Sequence, residues 1–291
     1  MRSLDRRRAM GLVHRALGRS AEVDLSGWGL RSPRLSLDHP GLRIAHLTDL
    51  HVGRVTPESR LNAAVEVANA LSPDLVCLTG DYVAHSLRYL GRLHRALERL
   101  QAPAYAVLGN HDHWNGAEQV AHALEAAGIQ VLQNQSVSFE ARGHTWRLVG
   151  LDDAVTRHHD VAKAFQGESS APTVVLSHLA EVAHDFAPHQ PALVLSGHTH
   201  GGQVRTAGVV DHVLRRMGHR FILGWYVVDE TPVYVNRGIG AAVFPWRTRH
   251  AAPEVACIDL EPLKATHDTQ KAAECYVERR NPFDKGDELG E

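Results

Sequence analysis

Asp49-Leu50-His51, Gly80-Asp81, Gly109-Asn110-His111-Asp112, Ser177-His178 and Gly197-His198-Thr199-His200 follow one another along the chain. They offer carboxylates, an amide oxygen and imidazoles, and no thiolate. That donor set suits two divalent cations side by side, sharing one carboxylate, an arrangement suited to in-line attack on phosphorus. Taken singly the motifs are weak: an Asp-x-His or a Gly-Asp occurs on many surfaces. Gly197-His198-Thr199-His200 is the most specific, because two alternate imidazoles can reach two adjacent ions. Three polar residues in a row after a buried strand, as in Asn110-His111-Asp112, are poor packing choices without a role.

The weight comes from what precedes each motif. Leu42–Thr48, Asp74–Thr79, Ala104–Leu108, Thr173–Leu176 and Ala192–Leu195 are short, mostly apolar runs, and each ends at one of the motifs, the last of them through Ser196. Runs of this length bounded by polar residues read as buried strands. The ligand groups therefore belong on loops at one edge of a sheet, where α/β proteins place their sites. A strand continuing through Asp49 and His51 would point both side chains the same way. Gly80 would let the backbone turn sharply enough for Asp81 to bridge two ions.

Helices are expected between the strands. Thr56 reads as an N-cap with Pro57 at the first helical position, ahead of an apolar stripe at Leu61, Ala64, Val65, Ala68 and Leu71. Ser86 reads as the cap of a second helix, and Asn115 with Glu118 as a capping box. A hairpin turn is expected at Ala141-Arg142-Gly143-His144, and residues 203–260 read as strand-rich. The pattern predicts an α/β (α+β) fold of two packed mixed β-sheets flanked by helices. Its expected boundaries are 1–41 as a basic N-terminal segment, 42–262 as the domain, and 263–291 as a charged, disordered tail.

Composition narrows the function. The chain has 291 residues and a formal net charge of −2, so nothing points to a nucleic-acid polymer as partner. Cys77, Cys257 and Cys275 are widely spaced and fit neither a disulfide framework nor a zinc ribbon, which suits a reduced, cytoplasmic setting. There are 21 histidines. Those outside the motifs, such as His14, His39, His94, His122, His189 and His267, lack ligand-like spacing and read as solvated or structural. No apolar run is long enough to span a bilayer. The stretch after Arg6-Arg7-Arg8 is interrupted by His14 and Arg15, which does not suit an export signal. The basic first 20 residues read either as a frayed terminus or as a peripheral contact with an anionic inner membrane surface.

In order and content the five blocks resemble the calcineurin-like metallophosphoesterases. The resemblance covers roughly residues 42–260 and implies their αββα sandwich. It implies that Asp49, His51 and His200 bind one metal, that Asn110, His178 and His198 bind the other, and that Asp81 bridges them. His111 would protonate the leaving oxygen, with Asp112 orienting it, while a metal-bridging hydroxide attacks. Manganese is the expected metal, with iron, zinc, cobalt or nickel also compatible with the donors. Gly201-Gly202, Asn236-Arg237-Gly238-Ile239-Gly240 and Phe244-Pro245-Trp246-Arg247 resemble the bacterial branch that holds UDP-2,3-diacylglucosamine pyrophosphatases and related phosphodiesterases. The expected substrate is a small-molecule or lipid-linked phosphodiester or pyrophosphate, such as a UDP-sugar lipid precursor. Arg237 and Arg247 are candidate contacts to a second phosphate. Asp152-Asp153 has no ligand slot left and reads as a supporting or turn-forming pair. A nucleotide phosphodiesterase, a phosphomonoesterase and a non-catalytic metal-binding scaffold are the alternatives.

Overall fold

In Leu75–Thr79 every residue is buried, and the side chains divide by parity. Leu75 and Cys77 pack into one apolar cluster with Leu148, Leu176, Leu195 and Ile258. Val76 and Leu78 pack into another with Leu61, Ala64, Leu93 and Leu97. A strand buried on both faces in this way lies in a sheet covered by a second sheet on one side and helices on the other. The computed structural model describes residues 22–203, 209–241, 247–248, 251–263 and 276–283.

The described strands are β1 (Asp24–Ser32), β2 (Leu42–Leu47), β3 (Leu75–Thr79), β4 (Ala104–Val107), β5 (Gln130–Val131), β6 (Gln135–Ala141), β7 (His144–Gly150), β8 (Thr173–Leu176), β9 (Leu193–Ser196), β10 (Gly224–Val228), β11 (Thr231–Val235), β12 (Glu254–Pro262) and β13 (Tyr276–Arg279). They form one sheet in the order β13-β1-β12-β2-β3-β4-β5 and a second in the order β10-β11-β9-β8-β7-β6. Both sheets are mixed: β2, β3 and β4 are parallel neighbours, as are β7, β8 and β9, while β12 runs antiparallel to β2 and β6 to β7. Val174, Leu176, Leu193 and Leu195 face the first sheet, and Val175 and Val194 face outward onto Phe165 and Phe186. On the first sheet's outer face lie α1 (Glu58–Ala70), α2 (Leu90–Leu97) and α4 (Ala117–Ala126), with the short α3 (Asn110–Asn115) leading into α4. This is the predicted two-sheet sandwich, and β2, β3, β4, β8 and β9 are the five runs read as strands.

The boundaries differ. Asp24–Ser32 belongs to the sheet, not to a basic N-terminal segment, and pairs in register with Glu254–Pro262. Gly27 and Gly29 weaken its intrinsic strand preference, and pairing with β12 overrides that. Tyr276–Arg279, placed in the disordered tail by composition, pairs antiparallel with β1. There Arg280 holds the junction by binding the Glu261 carboxylate. Residues 1–21, 264–275 and 284–291 lie outside the described residues, and with them the basic terminus read as frayed or as a membrane contact, Cys275 and most of the expected tail.

Helix starts shift by a residue. Pro57 is the N-cap of α1, and the Thr56 hydroxyl instead accepts from the Ala241 amide. Gly116 caps α4, with Asn115 ending the preceding helix and donating to the His111 carbonyl. The Ser86 hydroxyl does cap, accepting from the Arg88 amide. The strand-rich stretch also contains a helix, Val209–Arg216.

Candidate metal centre

The carboxyl ends of β2, β3 and β4 meet those of β8 and β9 along one edge of the sandwich. The loops leaving them are tied to one another, within each sheet and between the two, by main-chain bonds. The Asp49 amide donates to the Gly80 carbonyl, the Gly197 amide to the His178 carbonyl, and the Ile239 amide to the Thr48 carbonyl. Gly80 has φ +91°, and a Cβ there would lie 2.7 Å from His178 Nδ1 and 2.8 Å from the Gly109 amide nitrogen. The predicted turn at Gly80 is therefore present, with close packing as a second reason for glycine. Gly238 does the same from the other side: its Cβ would stand 2.6 Å from that of Asp49.

The period-two argument for Asp49 and His51 does not hold. β2 ends at Leu47, and both residues sit in the left-handed region, Asp49 at φ 51° and His51 at 40°. Asp81, His198 and His200 do so as well, at 57°, 74° and 53°. Each such conformation costs roughly 1–3 kcal/mol and persists only where the surroundings enforce it. The strain turns these side chains inward to a common point.

There the donors converge. Asp49, His51 and His200 place ligand atoms within 4.8 Å of one another, as do Asp49, Asp81 and His178. Asp81 Oδ2 lies 3.4 Å from both His51 Nε2 and His178 Nε2, between the two imidazoles. His200 Nε2 is 3.2 Å from Asp49 Oδ1, and His198 Nδ1 is 3.2 Å from His178 Nε2. Asp49 Oδ1 and Asn110 Oδ1 are buried without a hydrogen-bond partner among the described residues. Buried oxygens of this kind require a partner, and a cation is one.

Electrostatics agrees with the fit. Burial pushes the His51 and His198 imidazoles down to about 3 and His200 well below its usual value, so all three are neutral, and Nδ1 of His200 accepts from Arg247 Nη2. Burial also opposes charge on His178, but Asp81 at close range outweighs it and raises that ring to about 10. The proton on His178 answers the Asp81 charge as a cation would. His178 Nδ1 donates to the Thr79 carbonyl, 2.6 Å away, which aims Nε2 at the centre. Burial, with help from the Asp81 charge, raises Asp49 to about 6, while its Oδ2 accepts from the Thr48 hydroxyl and the His198 amide. These residues fit a pair of divalent cations.

His111 stands at the edge of the cluster. Its main-chain amide donates to Asp81 Oδ1 at 2.8 Å, and its ring lies edge-on to His51 with centroids 4.7 Å apart. Nδ1 is 2.8 Å from the Ala84 carbonyl, which can only accept. Nδ1 therefore carries a proton, and Nε2 is left to exchange one with a reactant.

Asp112 does not orient that ring. Its Oδ1 accepts from the Tyr82 and Val83 amides and its Oδ2 from the Asp81 and Gly109 amides. All its acceptor sites are committed to main chain, so it fastens the Gly80-Asp81 loop to the start of α3. Burial, then the Asp81 charge, pushes its carboxyl up to about 7 against these donors.

Arg237 and Arg247 are engaged by the protein. Arg237 pairs with Glu254, which is 3% exposed, and with Asp24. Arg247 Nη1 donates to the Arg237, Gly238 and Ala251 carbonyls, and Nη2 lies 2.6 Å from His200 Nδ1. Phe244-Pro245-Trp246 lie outside the described residues. Asp152 binds His113 Nε2 at 2.7 Å, and Asp153 Oδ2 closes the turn at Thr156, in line with a supporting role.

Sequence reading passed over Thr48, Tyr82 and Ala84. The Tyr82 hydroxyl accepts from Gly80 and donates to the Val107 carbonyl, bracing the Gly-Asp turn. Position beside a motif was the available signal for Thr48 and Tyr82. A main-chain carbonyl such as that of Ala84 leaves no signal in residue type.

A family profile described as Calcineurin-like phosphoesterase matches residues 42–202. Phosphodiesterase YaeI of Escherichia coli is 31% identical over 224 residues, covering 75% of this chain and 82% of that protein. A transmembrane protein with metallophosphoesterase domain from Danio rerio is 33% identical over 227 residues, covering 71% of this chain and 50% of its own length, so the chain spans half of that relative. UDP-2,3-diacylglucosamine pyrophosphatase LpxG of Chlamydia trachomatis is 26% identical over 297 residues, covering 79% of this chain and 88% of that protein. No helix among the described residues is long and apolar enough to cross a membrane.

Proposed function

The chain belongs to the calcineurin-like phosphoesterase family and is a hydrolase, and from that premise we propose that it cleaves a phosphodiester or pyrophosphate bond. Asp49, His51 and His200 would hold one divalent cation, Asn110, His178 and His198 a second, and Asp81 both. Two such cations supply Lewis acidity towards phosphate oxygens and an activated water. The observation that carries the reading is the convergence of His51 Nε2 and His200 Nε2 at 2.9 Å beside Asp49 and Asp81, with the proton-bearing His111 ring edge-on to them. His111 Nε2 delivers the proton to the leaving oxygen, a role suited to imidazole near neutral pH. Ala84 holds the ring to one tautomer, and Asp112 keeps Asp81 in register with it. Manganese is the proposed activating metal.

The substrate reading follows the relatives. One is a phosphodiesterase and another acts on UDP-2,3-diacylglucosamine, so a UDP-sugar lipid precursor and a nucleotide diester are the leading classes. Contact of the six arginines in residues 1–20 with an anionic membrane surface would bring a lipid-linked substrate to the site. Co-sedimentation with anionic vesicles, with and without those residues, tests that contact; equal pelleting removes it. The reaction class is tested on manganese-loaded protein with bis(p-nitrophenyl) phosphate, p-nitrophenyl phosphate and UDP-2,3-diacylglucosamine. Diester or pyrophosphate turnover well above monoester turnover is expected. A monoester preference would overturn the reaction class, and failure on the lipid alone would remove only the lipid-linked substrate.

A further inference from the structure

Trp114 is 64% exposed, and among the Phe, Tyr and Trp residues whose side chains are described it alone lies open to solvent. Its place is not arbitrary. It follows His111 by three positions on α3, so the two rings share one helix face. Their centroids are 5.0 Å apart at an interplanar angle of 60°. His85, also exposed, lies against the same His111 ring at 5.6 Å, one residue beyond the carbonyl that fixes it. An indole in edge-type contact with His111, with most of its surface in water, presents aromatic surface beside the ring proposed as the general acid.

Single exposed apolar residues are ordinary on protein surfaces and need no ligand. This one is held on a short helix whose first turn is fixed by Asp112 and by the Asp81 contact of His111. A rigid, solvent-facing ring at a reacting centre is suited to stacking, which any heteroaromatic base can satisfy.

Resting on the general-acid role of His111, we propose that Trp114 is the stacking face for a nucleobase-type heteroaromatic group carried on the leaving-group side of the substrate. It would be a specificity determinant for nucleotide-bearing phosphoesters, with no part in proton transfer.

The test compares adenosine 5′-monophosphate, ribose 5-phosphate, dodecyl phosphate and inorganic phosphate as inhibitors of bis(p-nitrophenyl) phosphate hydrolysis by the manganese-loaded protein. The base is expected to tighten inhibition by about 5- to 100-fold over ribose 5-phosphate. Trp114→Ala is expected to bring that ratio near one and leave inorganic phosphate inhibition in place, while Trp114→Phe retains most of it. Quenching of tryptophan emission by adenosine 5′-monophosphate, present in the native protein and lost in Trp114→Phe, reads binding without turnover. If Trp114 only braces His111, Trp114→Ala lowers kcat and leaves the inhibitor ratio intact, and the proposal fails. It fails equally if the native ratio is near one, or if Trp114→Ala weakens dodecyl phosphate alone. Loss of the hydrolytic reading is distinguishable, since diester turnover would be absent while the emission signal still reports stacking.

Discussion

His51 Nε2 and His200 Nε2 stand 2.9 Å apart in rings stacked at 21°. At most one of the two atoms can carry a proton between them, and both also face Asp49 Oδ1, at 3.8 and 3.2 Å. A cation would satisfy all three atoms at once, which a single proton cannot. Binding confined to the folded chain stabilises it, by about 2.7 kcal/mol at a hundredfold excess over Kd. Manganese or zinc added to stripped protein should therefore raise Tm by about 5–10 °C for a domain of this size. His200→Ala should lose much of the increase and part of the bound metal, read by differential scanning fluorimetry and elemental analysis. An unchanged Tm on metal addition would argue against the centre.

His111 donates to Asp81 through its main-chain amide, which a side-chain truncation keeps, and its ring nitrogen also lies within 4.8 Å of ligand atoms of His51 and Asp81. His111→Ala should lower kcat by about 10²- to 10⁴-fold, the usual range for a lost general acid, with metal content close to native. The deficit should be smaller for p-nitrophenyl esters, whose leaving group needs little protonation, than for alkyl esters. Metal lost in proportion to activity would instead make His111 a ligand.

The contrast between His111 and its support shows what residue types carry and what they do not. β2, β3, β4, β8 and β9 were legible because each apolar run gives way within three residues to Asp49, Asp81, Asn110, His178 or His198, and a buried strand that ends next to a candidate ligand side chain delivers it to the sheet edge. The left-handed backbone at Asp49 and His51 was not legible, since it is imposed by the Gly80 and Asp81 carbonyls that receive their amides. β1 escaped because Gly27 and Gly29 hide a strand whose stability comes from β12. Asp112 was assigned to the wrong partner for a similar reason: its four partners are main-chain amides, anonymous in sequence. Trp114 stood next to a motif, but exposure, which sets it apart, is a property of the fold.

Asp112→Asn tests that reassignment. The amide oxygen can still accept two of the four donors, but its NH₂ group would face the other two. Two buried main-chain donors left unpaired should cost about 2–4 kcal/mol, measured by urea denaturation of the metal-free protein. A variant of near-native stability with a His111-like fall in kcat would return Asp112 to the role of orienting His111.

The ion pair between His113 Nε2 and Asp152 Oδ1, at 2.7 Å, gives a pH dependence with a definite sign. Burial acts against charge on His113, yet Asp152, with Asp153 and Asp112 behind it, raises its pKa above the usual imidazole value. Burial likewise opposes the Asp152 charge, and His113 outweighs it to hold that carboxyl below its usual range. The ring of His158 stacks on His113 at 4.2 Å, and Gln133 donates to the second oxygen of Asp152. A raised histidine contributes fully below its unfolded pKa and loses the contribution as pH rises through the folded value. A depressed aspartate contributes fully above its unfolded pKa and loses the contribution as pH falls through the folded value. The pair should therefore stabilise most between about pH 4 and 6.5. The stability difference between native protein and Asp152→Asn, followed by denaturation from pH 4 to 9, should peak in that window and shrink on the alkaline side. The His113 ring resonance should titrate above the usual imidazole range in the native protein and move down in the variant. A difference that grows with rising pH would show that Asp152 acts through Gln133 and the main chain, independent of the charge on His113.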